Sequence, residues 1–261
     1  MSTTTYEPGV LDIAHTSRVP LTTLVKVELR KMVDTRAGMW LLIIIGAVTG
    51  IATLIFGLVA PDSSRNFGAF IAFAGVPQSF LLPVLGILLI TQEWGQRTGM
   101  VTFSLEPHRG RVIGAKVLAA LVLSVAAIVL AFAFASLATV VFGGTDAWSG
   151  FAGVDVISLV FAQVAGTVQG LAYGLLFLTS AAAIVTYFVL PQVVTIVVNV
   201  WPWISDKASW IDFGTAQGPL FDFGGNGPSG EEWSQILVTG FVWVVLPFAV
   251  GLWRVLRAEI K

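Results

Sequence analysis

The sequence predicts an all-α, polytopic membrane protein with six transmembrane helices, an N-terminal amphipathic interfacial helix and a partly re-entrant outer segment before the last span. Three observations predict it. Charged residues make up 11% of the 261 residues and hydrophobic ones 56%, where a soluble domain carries about 25% charged. Six apolar runs reach the roughly 20 residues that a hydrocarbon core requires of a helix. Lys and Arg are segregated: twelve of the fourteen fall in segments on one side of those runs.

Residues 1–38 are polar and mixed in charge, with no short apolar run ending in a small-residue cleavage site. The apolar run that begins near Met39 therefore reads as a retained span rather than a signal sequence. Just before it, PLTTLVKVELRKMVDTRA (20–37) places Leu21, Leu24, Val25, Leu29 and Met32 on one helical face. Lys26, Arg30, Lys31 and Asp34 fall on or near the other. That pattern reads as a helix lying in the membrane interface, with basic side chains near anionic headgroups. A cytoplasmic helix packed on another subunit is the plainer alternative.

The spans are expected at about 39–60, 67–90, 117–142, 154–178, 181–203 and 234–253. Their interiors carry no Lys, Arg, Asp or Glu. Backbone polar groups in lipid must be satisfied within the segment, so these are helices. Between the fourth and fifth runs only Thr179-Ser180 interrupts the apolar stretch, and about 50 apolar residues are too many for one crossing.

Orientation follows from the basic residues. Arg18, Lys26, Arg30, Lys31 and Arg36 precede the first run. Arg97, Arg109, Arg111 and Lys116 follow the second, and Arg254, Arg257 and Lys261 close the chain. The opposite side holds Arg65 and Lys207, with Asp62, Asp146, Asp155, Asp206, Asp212, Asp222, Glu231 and Glu232. Both termini are expected in the cytoplasm. The resulting plan is a cytoplasmic N-terminus (1–38), one six-span domain (39–253) and a cytoplasmic tail (254–261). The domain includes an inner loop at 91–116 and an outer segment at 204–233. That outer segment is rich in Trp, Phe, Gly and Pro and is expected to fold back as short half-helices.

Several chemistries are excluded. With no cysteine there are no disulfides, thiolate metal sites or cysteine nucleophiles. His15 and His108 are far apart, so no histidine metal cluster is expected, and no cofactor. The stretch from Gly110 to Lys116 lacks the spacing and the hydroxyl of a phosphate-binding loop. The apolar span interiors argue against an ion-coupled pump, which ordinarily keeps ionisable groups inside the membrane.

The inner loop is the most informative segment. Its part 92–116 reads QEWGQRTGMVTFSLEPHRGRVIGAK. Glu93, Arg97, Thr98, an apolar stretch to Leu105, then Pro107, Arg109, Arg111 and Lys116 resemble the loop of type-2 ABC exporter permeases. The entry helix with Glu28-Leu29-Arg30-Lys31, the six spans and the outer segment fit the same plan. Gly114-Ala115-Lys116 departs from members that have Gly directly before the lysine.

The resemblance implies a half-transporter in a prokaryotic plasma membrane with no ATPase site of its own. It implies two copies of an ATP-binding subunit as partners, with a second permease copy or a paralogue and membrane lipid, and no nucleic acid. The docking surface would comprise Glu93, Trp94, Arg97, Thr98, Phe103, Leu105, Glu106, Pro107 and Arg109. The substrate would be amphipathic: a drug-like compound, a peptide or a lipid. Gln78, Gln192, Thr195 and Asn199 are candidates for its path. Among them Gln192, Thr195 and Asn199 share one face of the fifth run. Gln163, Thr167 and Gln169 in the fourth, and Ser79 in the second, are further polar positions, for which interhelical hydrogen bonding is the plainer role. Gly166, Gly170 and Gly174 form a small-residue ridge expected to serve close packing. The alternatives are a non-transporting scaffold or sensor subunit bound to the same kind of ATPase, and a secondary transporter.

Overall fold

The computed structural model describes residues 19–95, 102, 106 and 108–257. Among the described residues there is no strand. Helix α1 (Leu21–Asp34) leads into α2 (Arg36–Val59), and a 3₁₀ turn (Asp62–Ser64) precedes α3 (Phe67–Gly95). Then follow α4 (Arg109–Phe142), α5 (Gly153–Phe177) and α6 (Ser180–Val200). Three single-turn helices, α7 (Pro202–Ser205), α8 (Ala208–Ile211) and α9 (Phe213–Ala216), and a 3₁₀ turn (Gly218–Phe221) form the outer segment. The last long helix runs from Gly230 to Arg257 as α10 (Gly230–Gly240), a π-helical turn (Phe241–Val245) and α11 (Leu246–Arg257). Six helices, α2 to α6 and the last, are long and apolar enough to cross a membrane. The chain is a multi-pass membrane protein, with a basic end carrying α1 and Arg257 and an acidic end carrying the outer segment.

Several spans, α3, α4 and the last helix among them, are longer than the apolar runs predict. Helix α3 continues past residue 90 to Gly95, and α4 starts at Arg109, eight residues before the apolar run. Their charged ends extend beyond the length that lipid requires, and both rise from the basic end. The fourth and fifth spans are separate. Leu178 breaks the helix in the left-handed region, φ 58°, and α6 begins at Ser180. A non-glycine residue there is uncommon. Leu178 is kept by its packing against the core at the basic end.

That core joins Met32 of α1, Leu82, Leu85 and Leu89 of α3, Leu171 and Leu175 of α5, and Val255 of the last helix. A second core of Phe67, Phe70, Ile71 and Leu159, with half-buried Phe132 and Phe151, fills the acidic half. Helices α3 and α5 meet backbone to backbone. A Cβ on Gly86 would sit 2.5 Å from the Thr167 carbonyl oxygen, and one on Gly170 would overlap the Pro83 carbonyl. Small residues allow this approach, and without water to expel it is packing that holds spans together.

The acidic end corrects the sequence reading at two carboxylates. Asp155 and Asp212, counted among the outer-loop charges, are buried. The fourth run, placed from 154, takes in Asp155 at the first turn of α5. There its Oδ2 accepts from the backbone N–H of Ala152 at 2.6 Å and of Gly224 at 2.9 Å, pinning the outer segment to α5. Carboxylates suit helix N-termini because the first N–H groups have no helical partner. Phe213, Leu220 and Ile236 pack the outer segment against the bundle, so it folds back onto the spans, as its composition predicts.

Candidate functional site

At the basic end four ionisable side chains from three helices converge. Glu28 and Lys31 come from α1, Glu93 from the last turn of α3 and Lys116 from the third turn of α4. Lys31 Nζ donates to Glu28 Oε1 at 2.7 Å and to Glu93 Oε1 at 2.6 Å. Lys116 Nζ donates to Glu28 Oε2 at 2.6 Å and to the Leu89 carbonyl at 2.9 Å, and stands 3.3 Å from Glu93 Oε1. Glu28, Glu93 and Lys116 are buried, and Lys31 is half-buried. Two acids and two bases make the quartet neutral. Isolated charges in so dry a place would be expensive, and mutual pairing offsets that cost. Burial pulls the Lys31 ammonium toward neutrality, but hydrogen bonds to Glu28 and Glu93 and the charge of both carboxylates outweigh it. Its pKa rises above the ordinary lysine value.

The same quartet grips the inner loop. Thr102 Oγ1 donates to Glu93 Oε1 at 3.0 Å. Further along, the Glu106 N–H donates to the Thr102 carbonyl at 3.0 Å. The Glu106 carboxylate accepts from His108 and lies 3.4 Å from Arg111 Nη1. Arg109 Nη1 donates to the Val255 carbonyl of the last helix at 2.8 Å, and Arg111 donates to the Val19 carbonyl. The described loop residues are thereby tied to α1, α3, α4 and α11 together.

Of the expected docking residues, Glu93, Glu106 and Arg109 belong to this assembly. Trp94 packs half-buried against the neighbouring core. Arg97, Thr98, Phe103, Leu105 and Pro107 lie outside the described residues. Sequence reading missed Glu28 and Lys31 as partners of Glu93 and Lys116. One signal was present: Glu28 sits four residues from both Leu24 and Met32, within the apolar stripe of α1. A carboxylate in the middle of an apolar face needs a buried cation.

The polar residues of the spans divide into two groups. Gln78 Nε2 donates to the Ala127 carbonyl of α4 at 2.7 Å, Gln163 Nε2 to Gly75 of α3 at 3.2 Å, and Ser124 and Thr167 share a bond of 2.8 Å. These bonds fasten one span to another. Ser79, Gln169 and Gln192 instead face a cavity of about 240 Å³ between α3, α5 and α6. It is closed on the outer side by Asp212, Phe213 and Gln217 and flanked by Trp243 of the π-helical turn. Thr195 Oγ1 lies 3.0 Å from Asp212 Oδ2 and 3.0 Å from the Pro191 carbonyl. Asn199 is exposed and donates to the Thr195 carbonyl at 2.7 Å. The polar face of the fifth span thus contributes Gln192 to the cavity and Thr195 to the staple that holds Asp212.

No group of three or more His, Asp or Glu able to hold a metal occurs among the described residues. Neither a protein-family model nor a curated protein matches the chain.

Proposed function

We propose that this chain is the membrane subunit of an ATP-driven exporter, and that its 91–116 loop docks a separate ATP-binding subunit on the cytoplasmic side. The observation that carries the reading is the fixing of that loop. Its two ends are held by the Glu28–Lys31–Glu93–Lys116 quartet and by the Glu106, Arg109 and Arg111 contacts. A loop tied at once to α1, α3, α4 and α11 moves those helices when it is pushed. That is what a soluble motor needs from a membrane partner, since coupling travels through contiguous contacts between elements with two arrangements. The amphipathic α1 gives the lever a seat at the membrane surface. The basic character of this end fits a cytoplasmic face under the positive-inside rule.

The test is co-purification of the chain with ATP-binding subunits lacking spans of their own, followed by ATPase and vesicle-transport assays. Charge reversal Glu93→Lys and deletion of 94–106 are expected to abolish association or uncouple ATP hydrolysis from transport. An intact, coupled complex in both variants overturns the docking reading. Transport with no binding to any ATPase, driven by an ion gradient, would favour a secondary transporter. Buried Asp212 among the spans is the observation that speaks for that second reading.

A further inference from the structure

The cavity between α3, α5, α6 and the outer segment has a chemistry of its own. Asp212 is 3% exposed, and among the described residues no Lys, Arg or His pairs with it. Its Oδ1 accepts one backbone N–H, from Gly214 at 3.2 Å. Its Oδ2 accepts from the Thr215 hydroxyl at 2.6 Å, from the Thr215 N–H at 3.3 Å, and faces Thr195 Oγ1, whose single proton must also serve the Pro191 carbonyl. A carboxylate offers about four acceptor positions, so Oδ1 in particular has capacity left.

The surrounding walls supply further negative potential. Phe80, Tyr187, Phe188 and Trp243 line the cavity. Phe80 and Phe188 lie stacked with centroids 6.2 Å apart, and Tyr187 meets Phe188 edge to face at 5.1 Å. Aromatic faces attract cations, quaternary ammonium groups above all. Pro191, also on the lining, has no N–H to offer the Tyr187 carbonyl one turn earlier. The π-helical turn brings Trp243 round so that its Nε1 donates to the Ile211 carbonyl at 2.7 Å, next to Asp212. Such turns occur frequently at functional sites. No Lys, Arg or His lines the cavity, and its donors are the uncharged amides, hydroxyls and indole N–H of neutral residues.

We infer that this cavity binds an organic cation, an amine or quaternary ammonium with an apolar body, through the Asp212 carboxylate and the faces of Phe80, Tyr187 and Phe188. The inference rests on the transport reading only in making such a cation the cargo class, since binding itself requires no motor. The carboxylate repels an anion, and a neutral lipid lacks the charge that would complement it.

The experiment measures binding of radiolabelled benzyltrimethylammonium to the full chain in nanodiscs of neutral phosphatidylcholine by equilibrium dialysis. Benzenesulfonate, of similar size and opposite charge, is the competitor control. Saturable binding that benzenesulfonate does not displace is expected. Asp212→Asn, which keeps the acceptor to Thr195 and loses the charge, should weaken it at least tenfold. Should that variant not fold, Phe80→Leu serves, because Phe80 is exposed at the mouth and leucine keeps apolar bulk without a π face; a loss of about threefold is expected. Equal binding by the wild type and a folded Asp212→Asn protein overturns the inference and leaves Asp212 as a staple for the outer segment. So do equal binding by Phe80→Leu, displacement by benzenesulfonate, and absence of saturable binding to the wild type. Each of these results leaves the ATPase-docking proposal standing, because no ATP-binding subunit enters the assay.

Discussion

At the scale of single residues, the quartet and the glycine ridge give the sharpest expectations. Replacing Lys116 by Met leaves Glu28 and Glu93 with Lys31 alone in a buried setting. Removing one partner of a buried pair costs about 3–5 kcal/mol, which should appear as a clear fall in the thermal midpoint of the detergent-solubilised protein. The sign of the pH dependence follows from Lys31. Its folded-state pKa is raised, so its stabilising contribution is complete below the unfolded lysine value and is lost as pH rises through the folded value. Unfolding curves should accordingly be insensitive to Lys31 ionisation at neutral pH. They should shift down in strong alkali, and Lys31→Met should flatten that shift. On α5, Gly170→Ala pushes a methyl group into the Pro83 carbonyl and should cost about 1–3 kcal/mol or prevent folding. Gly166→Ala meets Pro83 Cγ at 3.5 Å and Tyr187 Oη at 4.0 Å, both ordinary contacts, and should be close to neutral. A pair of variants with equal effects would contradict the backbone contact between α3 and α5.

At the scale of elements, the question is what each helix end is tied to. The amphipathic pattern of α1 was legible in the sequence, and most of the predicted apolar face does pack inward: Met32 is buried, and Leu24, Val25 and Leu29 are half-buried, while Leu21 is exposed. Its position over α3 and α4 was not legible, because the ties that fix it join residues 62 and 88 positions apart. A double-mutant cycle on Glu28 and Lys116 should return a coupling of about 1–3 kcal/mol. The outer segment shows the same limit. Its half-helices followed from glycine, proline and aromatic content. The burial of Asp212 did not, because sequence gives no sign that Thr195, seventeen positions earlier, turns toward it. Thr195→Val removes that hydroxyl and should cost about 1–3 kcal/mol. A cysteine placed at Gly214 should also react faster with maleimide in the Thr195→Val background.

At the scale of the whole molecule, the absence of cysteine makes topology directly measurable. Single cysteines at Asp146 and Thr179 should behave oppositely toward a membrane-impermeant maleimide. Asp146→Cys is expected to label from outside intact cells, and Thr179→Cys only after permeabilisation. Labelling of Thr179→Cys from outside would invert the orientation and with it the docking proposal.

The number of spans, the two-helix reading of the stretch around Thr179 and the segregation of basic and acidic ends are all legible in the linear chain. Hydropathy and charge act locally on each segment against the bilayer, so a linear pattern suffices to read them. Which ionisable groups are buried together is set by the folded bundle. Glu28 with Lys116, and Asp212 among aromatic rings from three helices, are meetings of distant positions. The energy of such a meeting depends on local burial and partners, which spacing along the chain does not encode.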